Sequence, residues 1–278
     1  RSTEAPYRLS PEAAHALGLP AGIPVSLGAG DRACEGVGAG VFGHRVMEST
    51  GTASNISMTI DRLPEDLGRV PCSVHAISGR WLLELGIATS ASLMRWFRDL
   101  LALSPEDATA LEHEAAASPP GARNLLVFPF FMGARSVRWN ADARGLFLGL
   151  SLGHSRGDVA RAIMEGVGYE ARACLEGLRA LDLKPGEVLA MGGGARSELW
   201  LQIKANVLGV PVLRPRYTEA ASLGAALLAA RSVDLIDDVD ASGRQWNPVQ
   251  GSLTPDPDAV RFYDGRRAVF EEVYQALV

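Results

Sequence analysis

Three short stretches of the chain carry residue types whose spacing suits chemistry. In the first, Gly28-Ala29-Gly30-Asp31, a carboxylate follows a glycine turn. Residues 23–27 (IPVSL) read as a strand and the small-residue run DRACEGVGAGVF as a helix, so Asp31 stands at a strand-to-helix junction. A carboxylate there serves either as a helix cap or as a general base at the carboxyl end of a strand, where ligands of open sheets gather. As a base it would take the proton of a substrate hydroxyl. The second stretch is Thr50-Gly51-Thr52-Ala53-Ser54. It is either a plain turn or a phosphate site, where glycine lets the backbone approach and N–H and O–H groups donate to phosphate oxygens. The third is Met191-Gly192-Gly193-Gly194-Ala195-Arg196-Ser197. It lacks both the GxGxxG dinucleotide spacing and the Lys-Ser/Thr pair of a Walker A loop. What remains is a strand, a glycine corner and a helix N-terminus, a shape that admits a base, a sugar or a phosphate against the backbone.

Other residues give weaker signals. The five histidines, His15, His44, His75, His113 and His154, show no metal-ligand spacing. Cys34, Cys72 and Cys174 are odd in number and far apart, so they read as reduced, mostly buried thiols and not as a disulfide framework or zinc site. Trp139 and Trp200 suit packing better than stacking on a ligand. Arg135 and Arg138 could flank an anion or be exposed loop residues, and Arg266-Arg267 reads as a solvated helix face.

Elements must hold these residues in place. The chain has 278 residues, 47% apolar and 21% charged, with a net charge of −5. Such a chain can build a sizeable core, and it has no basic excess to suggest a nucleic-acid partner. Its apolar runs are too short to span a bilayer, and the cytoplasm is the default location. After a short helix opened by Ser10-Pro11-Glu12, strands are expected at 46–49, 55–60 and 80–85, the first two forming a hairpin with Thr50-Gly51-Thr52 at its tip. A helix is expected at 92–103, a strand at 125–130, and a long helix at 156–181. Further strands fall at 188–191 and 210–213, helices at 197–208 and 218–230, and an amphipathic helix at 260–277, after a solvated loop over 234–257. A hairpin run followed by alternating strands and helices implies an α/β layer architecture with one mixed sheet and helices on its faces.

One long motif narrows the reading. Residues 145–166, GLFLGLSLGHSRGDVARAIMEG, resemble a signature of the FGGY family of carbohydrate kinases, with Asp158, Val159, Ala162, Ile163, Met164, Glu165 and Gly166 in register. The other stretches resemble family segments in the same order, and the resemblance covers nearly the whole chain. GAGDRACEGVGAG resembles the segment whose Asp is the catalytic base, which implies that role for Asp31. STGTAS resembles the phosphate-binding hairpin, which implies ATP-phosphate binding by Gly51 and Thr52. SASLMRWFRD resembles the segment lining the nucleotide and points to Ala91 and Arg95. MGGGARSELWLQIKANVLGVPV, followed by EAASLGAALLAA, resembles the adenosine motif and implies nucleotide binding by Gly193, Gly194 and Glu198.

The resemblance implies an actin-like ATPase (ribonuclease H-like) fold, of which this would be the second of two family domains. Residues 1–43 would be the tail end of the N-terminal domain, carrying the catalytic Asp, and residues 44–278 the C-terminal nucleotide-binding domain. ATP and Mg²⁺ are the implied cofactors, the metal held mainly by ATP and the N-terminal domain, with no ligand from this chain. Family members open with an Asp-x-Gly-Thr loop, absent here, and the chain begins with Arg. It is therefore expected to be part of a longer protein. Its implied partners are a sugar and that N-terminal domain, with a homodimer allowed. The segment FPFFMGARSVRWNADARGLFLGL resembles both the xylulokinase and the gluconokinase branches, and the run from Trp139 to Gly145 leans toward gluconokinase. A non-catalytic actin-like nucleotide-binding module is the competing reading, and it would not need an acid at position 31.

Overall fold

The computed structural model describes residues 2–277; Arg1 and Val278, the outer ends of the two expected domains, lie outside them. A small antiparallel pair, β1 (Tyr7–Arg8) and β2 (Pro24–Val25), brackets helix α1 (Pro11–Leu17). The five-residue strand expected at 23–27 is thus two residues long, because it pairs only with β1 and joins no larger sheet. Ser10 caps α1 by accepting the Ala13 N–H, and Gly18 closes it in the left-handed conformation (φ 66°).

Helix α2 (Asp31–Ala39) leads into the main sheet through β3 (Arg45–Thr50) and β4 (Ser54–Ile60), the expected hairpin. β5 (Cys72–Val74) and β6 (Trp81–Ile87) extend it antiparallel. Then come α3 (Ala91–Leu100) and α4 (Ala108–Ala117), and a separate antiparallel pair, β7 (Leu126–Phe128) and β8 (Leu146–Leu148). The strand expected at 125–130 is short because Pro129 has no N–H to continue the ladder. The long helix α5 (Arg156–Arg179) opens on a capping box in which Ser155 and Asp158 satisfy each other's backbone amides. β9 (Glu187–Met191), α6 (Glu198–Leu208), β10 (Val212–Pro215) and α7 (Ala221–Ser232) alternate as expected.

The segment expected to be a solvated loop at 234–257 instead holds helix α8 (Val239–Trp246) and strand β11 (Val249–Leu253). Asp238 caps α8 by accepting the Asp240 and Ala241 N–H groups. β11 pairs antiparallel with β10 as an edge strand, its side chains largely exposed. Helix α9 (Pro257–Leu277) closes the chain.

The seven-stranded sheet runs β11-β10-β9-β3-β4-β6-β5, with β9 parallel to both β10 and β3 and the rest antiparallel. Side-chain alternation assigns its two faces. Val46 of β3 and Val188 and Ala190 of β9 join Met164 and Val167 of α5, Trp200 and Leu201 of α6, and Phe270 of α9. Met47, Leu189 and Met191 face the other way, with Ala39 and Ala220. On that side α2 and α7 approach backbone to backbone at two glycines, with Cys34, Val37, Leu227 and Leu228 packed beside the contact. A Cβ on Gly224 would stand 1.8 Å from the Cys34 carbonyl oxygen, and one on Gly38 would stand 2.1 Å from that of Ala220. Only glycine permits this approach.

Arg138 does not flank an anion. It is buried in the first core, bound to Glu170 at 2.6 Å and Glu271 at 2.9 Å and lying over the Tyr274 ring at 4.0 Å. Trp200 is packed, as its type suggested, with its indole N–H donated to the Met164 carbonyl. Cys34 and Cys174 are buried and Cys72 half-buried, all three free thiols. No helix among the described residues is long and apolar enough to cross a membrane.

Candidate functional site

Parallel pairing of β3 with β9 sets Ser49 opposite Met191. The hairpin after β3 and the glycine corner after β9 therefore leave the sheet side by side at its carboxyl end. In the hairpin, Gly51 N–H donates to the Ala53 carbonyl at 2.9 Å. The carbonyls of Gly51 and Thr52 are taken up by the first amides of α3: Ala91 donates to Gly51, and Ser90 and Ser92 to Thr52, at 3.1–3.3 Å. The Ser92 hydroxyl adds a 2.6 Å bond to the Thr52 carbonyl. The amides of Thr52 and Ala53 have no acceptor among the described residues. The carbonyls are thus tied down while two donors stay available, the polarity an anion needs. Arg95 is exposed on α3 and reaches the Thr52 hydroxyl at 3.3 Å, which brings a cation to the same turn. Ala91 meets the hairpin through its backbone.

The three glycines of the corner have different reasons. Gly192 takes φ +69°, its N–H donates to the Thr218 carbonyl, and a Cβ there would stand 2.8 Å from the Thr50 carbonyl oxygen. A Cβ on Gly194 would stand 2.5 Å from Thr50 Cγ2. Both positions are held to glycine by the neighbouring strand. Gly193 is exposed, and a Cβ there would meet nothing within 4 Å. Its amide and that of Gly194 have no acceptor among the described residues. Gly193 is thus open surface beside a crowded pair, a cradle of backbone donors where a flat polar group can rest. Glu198 is exposed at the first position of α6, next to the capping Ser197, whose hydroxyl accepts the Trp200 N–H and donates to Glu112 at 2.6 Å.

Asp31 is the first residue of α2, and the cap is Gly30, which offers no side chain. The Asp31 carboxylate is exposed, with Oδ1 accepting the Arg32 N–H at 2.8 Å. One helical turn later, Glu35 accepts from the Ser49 hydroxyl at 2.8 Å and from the Arg32 guanidinium at 2.8 Å. This bond staples the first turn of α2 to the last residues of β3. Asp31, the hairpin and the glycine corner therefore gather at one end of the sheet. They form an open shelf; a cavity of about 590 Å³ lined by Phe128, Asn140, Asp142, Arg144 and Tyr274 lies elsewhere, beside β7, β8 and α9.

The backbone donors and the glycine cradle fit a nucleotide. Among the described residues no group of three or more His, Cys, Asp or Glu side chains converges. Glu35, Glu48 and Lys204 brace the shelf from below; Glu35 and Lys204 fall inside stretches that resemble the family, Glu48 just before one, and the sequence attaches no role to any of them. The sign that marks Lys204 is its position on the apolar stripe of α6, in line with Trp200, Leu201, Val207 and Leu208.

A mixed sheet with helices on both faces, ending in a hydroxyl-and-glycine hairpin beside a glycine corner, is an actin-like ATPase domain. The chain belongs to the FGGY family of carbohydrate kinases, whose C-terminal domain matches residues 47–233. It is 33% identical to the xylulose kinase of Escherichia coli K12 over 276 residues, which is 97% of this chain and 56% of that protein. With the gluconokinase of Bacillus subtilis 168 it shares 31% identity over 253 residues, 86% of this chain and 49% of the relative. A crystal structure of ligand-bound xylulose kinase from Lactobacillus acidophilus superposes with a TM-score of 0.90 at 25% identity, covering all of this chain and 56% of that one. The chain spans about half the length of the curated relatives it matches.

Proposed function

We propose that this chain is the nucleotide-binding and proton-accepting half of an ATP-dependent kinase acting on a hydroxyl of a sugar or sugar acid, of the xylulose or gluconate type. Bound ATP would supply the γ-phosphoryl group that is transferred. The free amides of Thr52 and Ala53 and the nearby Arg95 would hold phosphate oxygens, with Gly51 keeping the turn slim. The nucleoside would lie on Gly193 and Gly194, with Glu198 at its edge. Asp31 would orient the attacking hydroxyl and take its proton. Mg²⁺ would be held by ATP and by residues outside this chain.

In this reading residues 1–43 finish the preceding domain and 44–278 form the C-terminal one, in a cytoplasmic enzyme whose cleft needs both. The chain alone would bind nucleotide weakly and transfer phosphate negligibly, because it holds one wall of the cleft and cannot exclude water.

The observation that carries the proposal is the gathering of Asp31, the hairpin and the glycine corner at one sheet end. The test is Asp31→Asn in the full-length protein, assayed with ATP and xylulose or gluconate. The rate is expected to fall by about 10²–10⁴ while ADP binding by calorimetry is retained. Unchanged turnover would remove Asp31 as the base, and turnover of either sugar by the isolated 278 residues at full-length rates would overturn the half-cleft reading.

A further inference from the structure

Beneath the shelf lies a charged pair to which the family resemblance attaches no role. Glu48 on β3 and Lys204 on α6 are each 1% exposed and meet at 2.8 Å, with the ammonium 5.0 Å from the Trp200 ring. Burying two charges is costly, and a well-packed apolar pair of similar volume often serves stability equally well or better. The pair does more than close on itself. Lys204 Nζ also donates to the Thr50 hydroxyl at 2.9 Å, and that hydroxyl donates to Glu48 Oε1 at 3.3 Å. The Ser54 hydroxyl donates to Thr50 at 3.1 Å and lies 2.8 Å from the Ser90 hydroxyl, just before α3. Thr50 is also the residue against which Gly192 and Gly194 are pressed. One threonine therefore joins the hairpin, the glycine corner and the start of α3, and its hydroxyl is held by Glu48 and Lys204.

We propose that the Glu48–Lys204 pair is a positioning device for the nucleotide. By fixing Thr50, it keeps the phosphate-holding hairpin in register with the nucleoside-holding corner, so that both engage the same molecule. Lys204 stands less than two turns into α6, so the pair ties the helix leaving one half of the site to the strand entering the other. Its charge is spent on Glu48, so it sets geometry and does not neutralise phosphate. The inference deepens the nucleotide-binding reading given above and depends on it.

The test uses two variants of the full-length protein. In the double variant Glu48→Gln/Lys204→Met the charges are removed together, so that neither is left buried alone. Thr50→Val removes the joining hydroxyl at nearly constant shape and leaves the ion pair in place. For both, ADP affinity measured by calorimetry is expected to fall about tenfold, and KM for ATP to rise by a similar factor while KM for the sugar stays within about twofold. A purely structural role would lower the melting temperature or the active fraction and leave KM for ATP alone. Because Glu48, Lys204 and Thr50 form one network, combining the two variants should cost less than the product of their separate effects. Wild-type ADP affinity in the double variant would overturn the role of the pair, and so would an effect confined to Thr50→Val. If the double variant fails to fold, retained ADP affinity in Thr50→Val overturns the proposal and a loss there supports it. Absence of ADP binding by the wild-type protein would instead overturn the nucleotide reading, and the inference with it.

Discussion

The two ends of the central sheet are built from similar residues to opposite effect. At the amino end of β3 and β9, Arg45 binds Glu187 at 2.6 Å, with His44 3.8 Å from the same carboxylate. Arg80, at the start of β6, binds Asp61 at 2.8 Å and Asp240 at 2.7 Å and lies over the Phe42 ring. There the charges are spent on one another. At the carboxyl end, Asp31 stays exposed, and the amides of Thr52, Ala53, Gly193 and Gly194 have no acceptor among the described residues. Arg32 and Glu35 pair beside Asp31, and Glu48 and Lys204 are sunk beneath the surface. A sheet end whose donors stay unspent can accept an anion, whereas at an end closed by ion pairs the charges are already matched.

The largest effect expected at the sealed end comes from acid. His75 is buried beside Phe42, and its Nδ1 accepts the Ile77 N–H. Burial, reinforced by the Arg80 charge against the weaker pull of Asp240 and Asp61, lowers its pKa from 6.5 to about 4. The unfolded chain therefore takes up this proton first. The stability His75 contributes is fully present above pH 6.5 and is lost as pH falls toward about 4. Between pH 7 and pH 5 the loss is about 2 kcal/mol. His75→Asn, which keeps an acceptor for the Ile77 amide, should flatten the decline in chemical-denaturation midpoint over that interval. An unchanged slope would assign the acid sensitivity to other groups.

At the open end, Gly193→Ala is expected to weaken ADP binding about tenfold, or about 1.4 kcal/mol, because the methyl stands where the nucleoside would lie. The melting temperature should hardly move, since the added carbon meets nothing within 4 Å. Equal ADP affinity would sever the glycine corner from nucleotide binding. The smallest effect is expected from Arg45→Met at the sealed end: about 1 kcal/mol of stability, from losing a partly exposed ion pair, with ADP affinity unchanged. A change in ADP affinity there would show that the two ends are not independent.

Where the residues themselves carry the geometry, the sequence is enough. The hairpin, α5 and the alternation of β9, α6, β10 and α7 follow from periodicity and capping residues; Asp31, the hairpin and the glycine corner stand out as residue types at strand ends, but their roles come from the family resemblance alone. α8 escapes because VDASGRQW is short and polar overall, with Val239 and Gly243 its buried residues. Its place depends on Asn247, whose amide donates to the distant Gly38 carbonyl at 3.2 Å and to that of Tyr217 at 3.0 Å. β11 escapes because an edge strand with exposed side chains has only its ladder bonds to mark it. α4 is alanine-rich and nearly featureless, with Leu111 and Ala115 its buried residues. Arg138 reads as a loop cation because Glu170 and Glu271 lie 32 and 133 residues away. Glu48 and Lys204 are 156 positions apart (204 − 48), and only the fold makes them neighbours.

The contact between α2 and α7 has a mechanical consequence. Where two helix backbones touch at Gly38 and Gly224, any side chain added at either glycine would push the helices apart. The bond from Ser49 to Glu35 pins the same helix to the strand that becomes the hairpin. Asp31, although it belongs to the segment proposed to finish the preceding domain, is thereby fastened through α2 to the same strand that leads to Thr52.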